Sequence, residues 1–89
     1  MKTIRLTVKG KVQGVYYRAS AKNKASELGI TGWIKNLPDN NVEIRATSDD
    51  DLLKQFIDWC RQGPSRAIVN ELIIEELPFE PFKDFRIMR

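Results

Sequence analysis

The chain has 89 residues, of which 42% are hydrophobic and 30% charged, and its net charge is +3 with no histidine. That length fits one compact domain over residues 1–89 with a thin core, and the balance of residue types excludes a disordered or fibrous chain. One cysteine, Cys60, excludes an internal disulfide, and with no histidine beside it the usual zinc spacings are excluded too, so no metal is expected.

No apolar run is long enough to span a membrane, and the opening residues MKTIRLTVKGKV alternate where a signal peptide would be unbroken. The expectation is a soluble, cytoplasmic monomer. Lys2, Arg5, Lys9, Lys11, Arg18, Lys22 and Lys24 all precede the first acid, Glu27. A basic first quarter suits an anionic ligand near that end, although a solvated basic face has the same composition.

In chain order, residues 3–9 alternate with Ile4, Leu6 and Val8 on one side, which predicts a half-buried strand. A glycine-bearing loop follows from Gly10 to about Tyr17. A helix then runs to Leu28, with Tyr17, Ala21, Ala25 and Leu28 at helical spacing and Gly29 as its left-handed cap. Residues 30–36 read as a second strand, Leu37-Pro38-Asp39-Asn40 as a turn, and residues 41–47 as a third strand. In the second helix Ser48 is the expected N-cap and Asp49, Asp50 and Asp51 complement the helix dipole. Leu52, Phe56, Trp59 and Cys60 share a face, and Gly63-Pro64 ends the helix. A strand over 66–76 changes parity between Ala67/Val69 and Leu72/Ile74, which predicts a β-bulge near Asn70-Glu71. Phe85 to Met88 makes a short last strand.

The order β-α-β-β-α-β plus a short strand predicts the α+β, ferredoxin-like βαββαβ sandwich. Both helices cover one face of a mostly antiparallel sheet, with right-handed crossovers. This fold serves many functions, so function rests on the site.

The chemistry-bearing segment is Gly10-Lys11-Val12-Gln13-Gly14-Val15-Tyr16-Tyr17-Arg18, between the first strand and the first helix. A loop entering a helix offers unpaired N–H groups and the positive dipole end, and Gly10 and Gly14 permit the backbone angles of an anion nest. Arg18 can bind two phosphate oxygens at once. It is not a Walker loop, and a plain turn with a solvated arginine fits the same residues. Asn36 closes the second strand, where a turn-starting asparagine is also common.

The stretch Gly10-x-Val12-Gln13-Gly14-Val15-x-x-Arg18, followed by Gly32-Trp33-x-Lys35-Asn36-x-x-x-x-x-Val42, resembles the two signatures of the acylphosphatases. Trp59-Cys60-x-x-Gly63-Pro64-x-x-Ala67-x-Val69 and Phe85-x-Ile87 also look like that family, so the resemblance covers essentially the whole chain. It implies that Arg18 binds phosphate, that Asn36 positions the attacking water, and that Gln13, Gly14, Val15, Tyr16, Tyr17 and Arg18 form the phosphate-binding loop. It implies a small acyl phosphate as substrate and no cofactor. The family generally has Phe or Met at Tyr17, a smaller residue at Ile34, and glycine at Asn40 and Ser48.

The absence of histidine suits this chemistry, because a carboxylate leaving group, with an acid pKa of ~4, departs unprotonated. Two other functions fit the same fold: a binding domain that keeps the loop without turnover, and an RNA-binding module. Against RNA stands the third strand, Asn41-Val42-Glu43-Ile44-Arg45-Ala46, which has no aromatic on which a base could stack.

Overall fold

Apolar alternation in the strands and an apolar stripe on each helix assemble into two layers. The computed structural model describes residues 1–89. The elements are β1 (Lys2–Lys11), α1 (Tyr17–Leu28), β2 (Thr31–Asn36), β3 (Val42–Ser48), α2 (Asp50–Gln62), β4 (Ile68–Leu77) and β5 (Phe85–Ile87). The five strands form one sheet in the order β4-β1-β3-β2-β5. The first four pair antiparallel, and β5 adds parallel to β2. This is the ferredoxin-like arrangement, with both helices on one face.

The buried core lies between helices and sheet. Ile4, Leu6 and Val8 of β1 meet Ile34 of β2 and Ile44 and Ala46 of β3. Ala21 and Ala25 of α1 are fully buried, so small side chains bring that helix close to the sheet. Phe56 of α2 sits edge-on to Phe85 of β5, with ring centroids 5.9 Å apart, which ties the short last strand into the core. No helix is long and apolar enough to cross a membrane.

Of three local readings, two change and one holds. First, β1 continues through Lys11, so Gly10 belongs to a strand and not to the glycine-bearing loop that follows. It faces Val69, and a side chain there would collide with the Ile68 carbonyl of the neighbouring strand. Second, Lys9 pairs with Glu71 while Gly10 pairs with Val69, leaving Asn70 as the extra residue. The expected bulge is therefore present, and it lets both Val69 and Leu72 pack toward the core. Third, Ser48 is not the N-cap of α2. It is buried as the last residue of β3, paired with Lys2. Asp49 caps instead, its Oδ1 accepting from the Leu52 N–H at 3.0 Å.

The sheet's other face is partly strapped by the β4–β5 connection. Thr47 Oγ1 donates to the Glu80 carbonyl at 2.7 Å, and the Glu80 N–H donates to Thr3 Oγ1 at 2.8 Å. With the Thr47 proton so committed, Thr3 Oγ1 donates to Thr47 Oγ1, also at 2.7 Å. Further along, Arg5 of β1 grips Glu75 of β4 bidentately, with Nη2 at 2.9 and 3.0 Å from the two carboxylate oxygens.

Candidate active site

The loop from Val12 to Tyr16 is pinned by two valines. Val12 and Val15 are buried in the core, so the backbone between and after them must arch outward. The arch needs two left-handed residues, Gly14 at φ 74° and Tyr16 at φ 64°. Glycine takes this conformation without strain. Tyr16 does not, and the residue is 74% exposed, so packing does not hold it there. A bulky non-glycine residue in this region is uncommon and marks a backbone shaped for something other than packing.

That shape leaves donors free. None of the backbone N–H groups from Gln13 to Tyr16 gives a hydrogen bond to another protein atom. The first capped donor is the Ser20 N–H, 3.1 Å from the Tyr16 carbonyl, so the opening turn of α1 adds its own unpaired N–H groups. The two helices differ sharply here. Asp49, Asp50 and Asp51 compensate the N-terminus of α2, whereas α1 has no side-chain cap and no acid in its first turn. The positive end of α1 is thus left for an anion from outside the chain. Arg18, half-buried in that first turn, belongs to none of the chain's ion pairs.

Asn36 comes from β2, which is separated from β1 by β3. It ends β2 opposite Val42, and its Oδ1 is buried without any hydrogen-bond partner. An orphaned buried amide oxygen costs about 1–3 kcal/mol, so its persistence calls for a ligand or water to pair with it. Asn36 and Arg18 line one open cavity of about 400 Å³ together with Val12, Gly14, Tyr16, Tyr17, Ala19 and Ile87.

The loop residues named from sequence divide into three groups. Gly14, Tyr16, Tyr17 and Arg18 line the cavity. Val15 turns inward and contributes only backbone. Gln13 also turns away: its Nε2 donates to the carbonyls of Leu37 and Asn41, at 2.9 and 2.7 Å, in the β2–β3 turn. Asn40, in that turn, takes the left-handed φ of 72° expected of a residue standing in for glycine.

Tyr17 is the first residue of α1, and its ring is fully buried. Its hydroxyl donates to the Cys60 carbonyl at 2.7 Å, which supplies the partner a buried phenol requires. Burial holds the phenol proton far above the usual tyrosine range. Burial likewise pushes the Cys60 thiol up to about 12, so it is an inert core residue and not a nucleophile.

Val12, Ala19 and Ile87 were not named as site residues from sequence. Ala19 follows from Arg18 by helical adjacency. Ile87 reaches the cavity only because β5 adds parallel to β2, with Ile34 facing Ile87 across that pairing.

The Acylphosphatase family model matches residues 4–87. A protein named acylphosphatase from Marinobacter nauticus is 56% identical over 82 residues, covering 91% of this chain and 89% of its own. The crystal structure of acylphosphatase from Bacillus subtilis superposes with a TM-score of 0.97 at 30% identity, covering 100% of both chains. An acylphosphatase structure from Coxiella burnetii gives 0.94 at 41% identity, covering 98% of this chain and 92% of that one.

Proposed function

The chain belongs to the acylphosphatase family, and from that premise we propose how its own residues carry out the reaction. It hydrolyses acyl phosphates to a carboxylate and inorganic phosphate. In the proposed mechanism the phosphoryl group sits in the Gln13–Arg18 loop. The loop N–H groups and the Arg18 guanidinium bind its non-bridging oxygens. These contacts strengthen as charge gathers there in the transition state.

Asn36 holds the nucleophile. An amide is no useful base at neutral pH, but its Oδ1 can accept a hydrogen from water and set the water oxygen in line with the bond to be broken. The water oxygen forms a bond to phosphorus as the phosphorus–acyl oxygen bond breaks. The carboxylate leaves with that electron pair, unprotonated, because its conjugate acid has a pKa of ~4. The proton released from water passes to a phosphoryl oxygen or to solvent. No acid, base or covalent intermediate is required of the protein. Nor does the mechanism assign a metal ion a step, since Arg18 and the N–H groups carry the charge. We further assign the protein to the cytoplasm as a monomer, with its single thiol buried and reduced.

The observation that carries this reading is that Asn36, whose buried Oδ1 has no hydrogen-bond partner, lines the same cavity as Arg18, which belongs to no ion pair, at the uncapped N-terminus of α1. The test is release of inorganic phosphate from acetyl or benzoyl phosphate with EDTA present. Asn36→Ala should lower kcat by about 10²–10³ with little change in KM, as expected for losing a group that acts in the transition state. Arg18→Ala should raise KM and lower kcat together. If both variants kept wild-type rates, these site roles would be wrong.

A further inference from the structure

The two halves of the site hang from different parts of the sheet. The anion loop leaves the end of β1, while Asn36 stands at the end of β2. These strands are not neighbours, because β3 lies between them. An in-line attack needs the water-holding amide fixed relative to the bound phosphoryl group, so something must set the distance between loop and turn. The contacts of Gln13 do this. We infer that Gln13 is a positioning residue for the reaction, locking the anion loop to the turn that carries Asn36.

The case rests on how few ways this link can be made. The turn after Asn36 is closed by its own bonds, Leu37 N–H to the Asn41 carbonyl at 2.8 Å and Asn40 N–H to the Leu37 carbonyl at 3.2 Å. Each of those carbonyls keeps a second lone pair. The Gln13 side chain, from 24 and 28 residues away in sequence, gives one N–H to each of them at 2.9 and 2.7 Å. A primary amide has two hydrogens and spends both here. A carboxylate of the same shape has none to give, and a hydroxyl could serve only one carbonyl. Among side-chain hydrogen bonds, these two are the only ones that join the loop to the turn. The residue on one side of Gln13's anchor is Asn36's immediate neighbour, Leu37. On its own side, Gln13 is followed by Gly14, where a left-handed φ of 74° and the absence of a side chain give the loop its freedom. Buried Val12 and Val15 fix the two flanks of the arch, and the Gln13 bonds tie the arch between them to the turn.

This rests on the proposed roles of the loop and of Asn36, and it makes a distinct kinetic statement. Breaking the link leaves phosphate contacts intact but lets the water drift from the line of attack. A misplacement of about 1 Å costs on the order of 10²-fold in rate. The test compares wild type, Gln13→Met and Gln13→Asn in phosphate release from benzoyl phosphate, with inorganic phosphate as a competitive inhibitor and a thermal melt of each protein. Methionine keeps the length without donors, and asparagine keeps the amide on a stem too short to reach. The expected result is a kcat lowered about 10–100-fold in both, with KM and the phosphate inhibition constant changed less than about threefold, and both proteins folded at the assay temperature.

Wild-type kcat in either folded variant overturns the inference. So does a matched loss of kcat and phosphate affinity, which would make Gln13 a support of the loop alone. If neither variant folds, the contact serves the fold and the inference fails as well. Asn36→Ala is measured beside them. Should it keep full kcat, the reading of Asn36 fails first, and the Gln13 result is then interpreted without it.

Discussion

Tyr17→Phe isolates one buried hydroxyl, and the surrounding geometry sets the size of its effect. The Tyr17 hydroxyl donates to the Cys60 carbonyl at 2.7 Å, and both groups are buried. In a continuing helix that carbonyl would accept from the residue four positions on. That residue is Pro64, which has no N–H. The neighbouring Trp59 carbonyl is served by the Gly63 N–H at 2.8 Å, so no other donor reaches Cys60. Phenylalanine fills the same space and opens no cavity, but it leaves the carbonyl dry and unpaired. The cost is the lost bond plus that desolvation, about 1–3 kcal/mol. For a domain of this size each kcal/mol is worth about 4–8 °C in Tm, so a loss near the middle of the range lowers Tm by about 8–16 °C. Thermal melts and urea titrations followed by circular dichroism measure it, and an unchanged m-value shows that only stability moved. The rate at 25 °C should stay within about twofold, since the hydroxyl points away from the anion loop toward α2. A Tm within about 2 °C of wild type would refute the claim that this hydroxyl is the carbonyl's only donor.

Alkaline stability follows from the same region. Burial raises the Cys60 thiol from 9.0 to about 12 and raises the Tyr17 phenol as well, so the folded state keeps protons that the unfolded chain releases. Their contribution is complete below about pH 9 and is lost as pH climbs toward 12, with a slope for each group of about 1.4 kcal/mol per pH unit once its unfolded pKa is passed. Urea midpoints between pH 8 and 11 read this directly, and Cys60→Ala should flatten the first part of the decline. At the bulge, Gly10→Ala forces a φ of 134° on a residue with a Cβ and drives that carbon into the Ile68 carbonyl. A loss of about 2–4 kcal/mol is expected in a denaturant titration, and a neutral effect would mean that β1 and β4 can separate there at little cost.

Much of this molecule is legible in the sequence because its signals are local. Alternation placed the strands, helical spacing placed α1, and the parity slip between Val69 and Leu72 revealed a bulge that the pairing of Lys9 and Gly10 confirms. The misreadings also have local causes. Ser48 and Asp49 are both good caps, and only the burial of Ser48 at the end of β3 decides between them. Gly10 looks like a loop glycine until β4 is seen lying too close for any side chain. What stayed hidden depends on distant parts of the chain meeting. The Gln13 amide, the Pro64 gap filled by Tyr17, and the contribution of Ile87 to the cavity all require knowing which strand lies beside which. The roles proposed for Arg18 and Asn36 come from family resemblance more than from physics, since an arginine and an asparagine in loops are common.

The uneven flanking of the sheet has a further consequence. The strand bearing the anion loop is gripped on both sides by long partners, whereas the strand ending in Asn36 has on its outer side only the three-residue β5, with the Gly32 N–H to the Asp84 carbonyl and the Met88 N–H to the Ile34 carbonyl extending the contact. On the site roles proposed above, fraying of the carboxy-terminal strip is expected to disarm hydrolysis before it abolishes phosphate capture. A molecule in that condition would sequester its substrate without consuming it, and amide exchange should find the backbone of β2 less protected than that of β1.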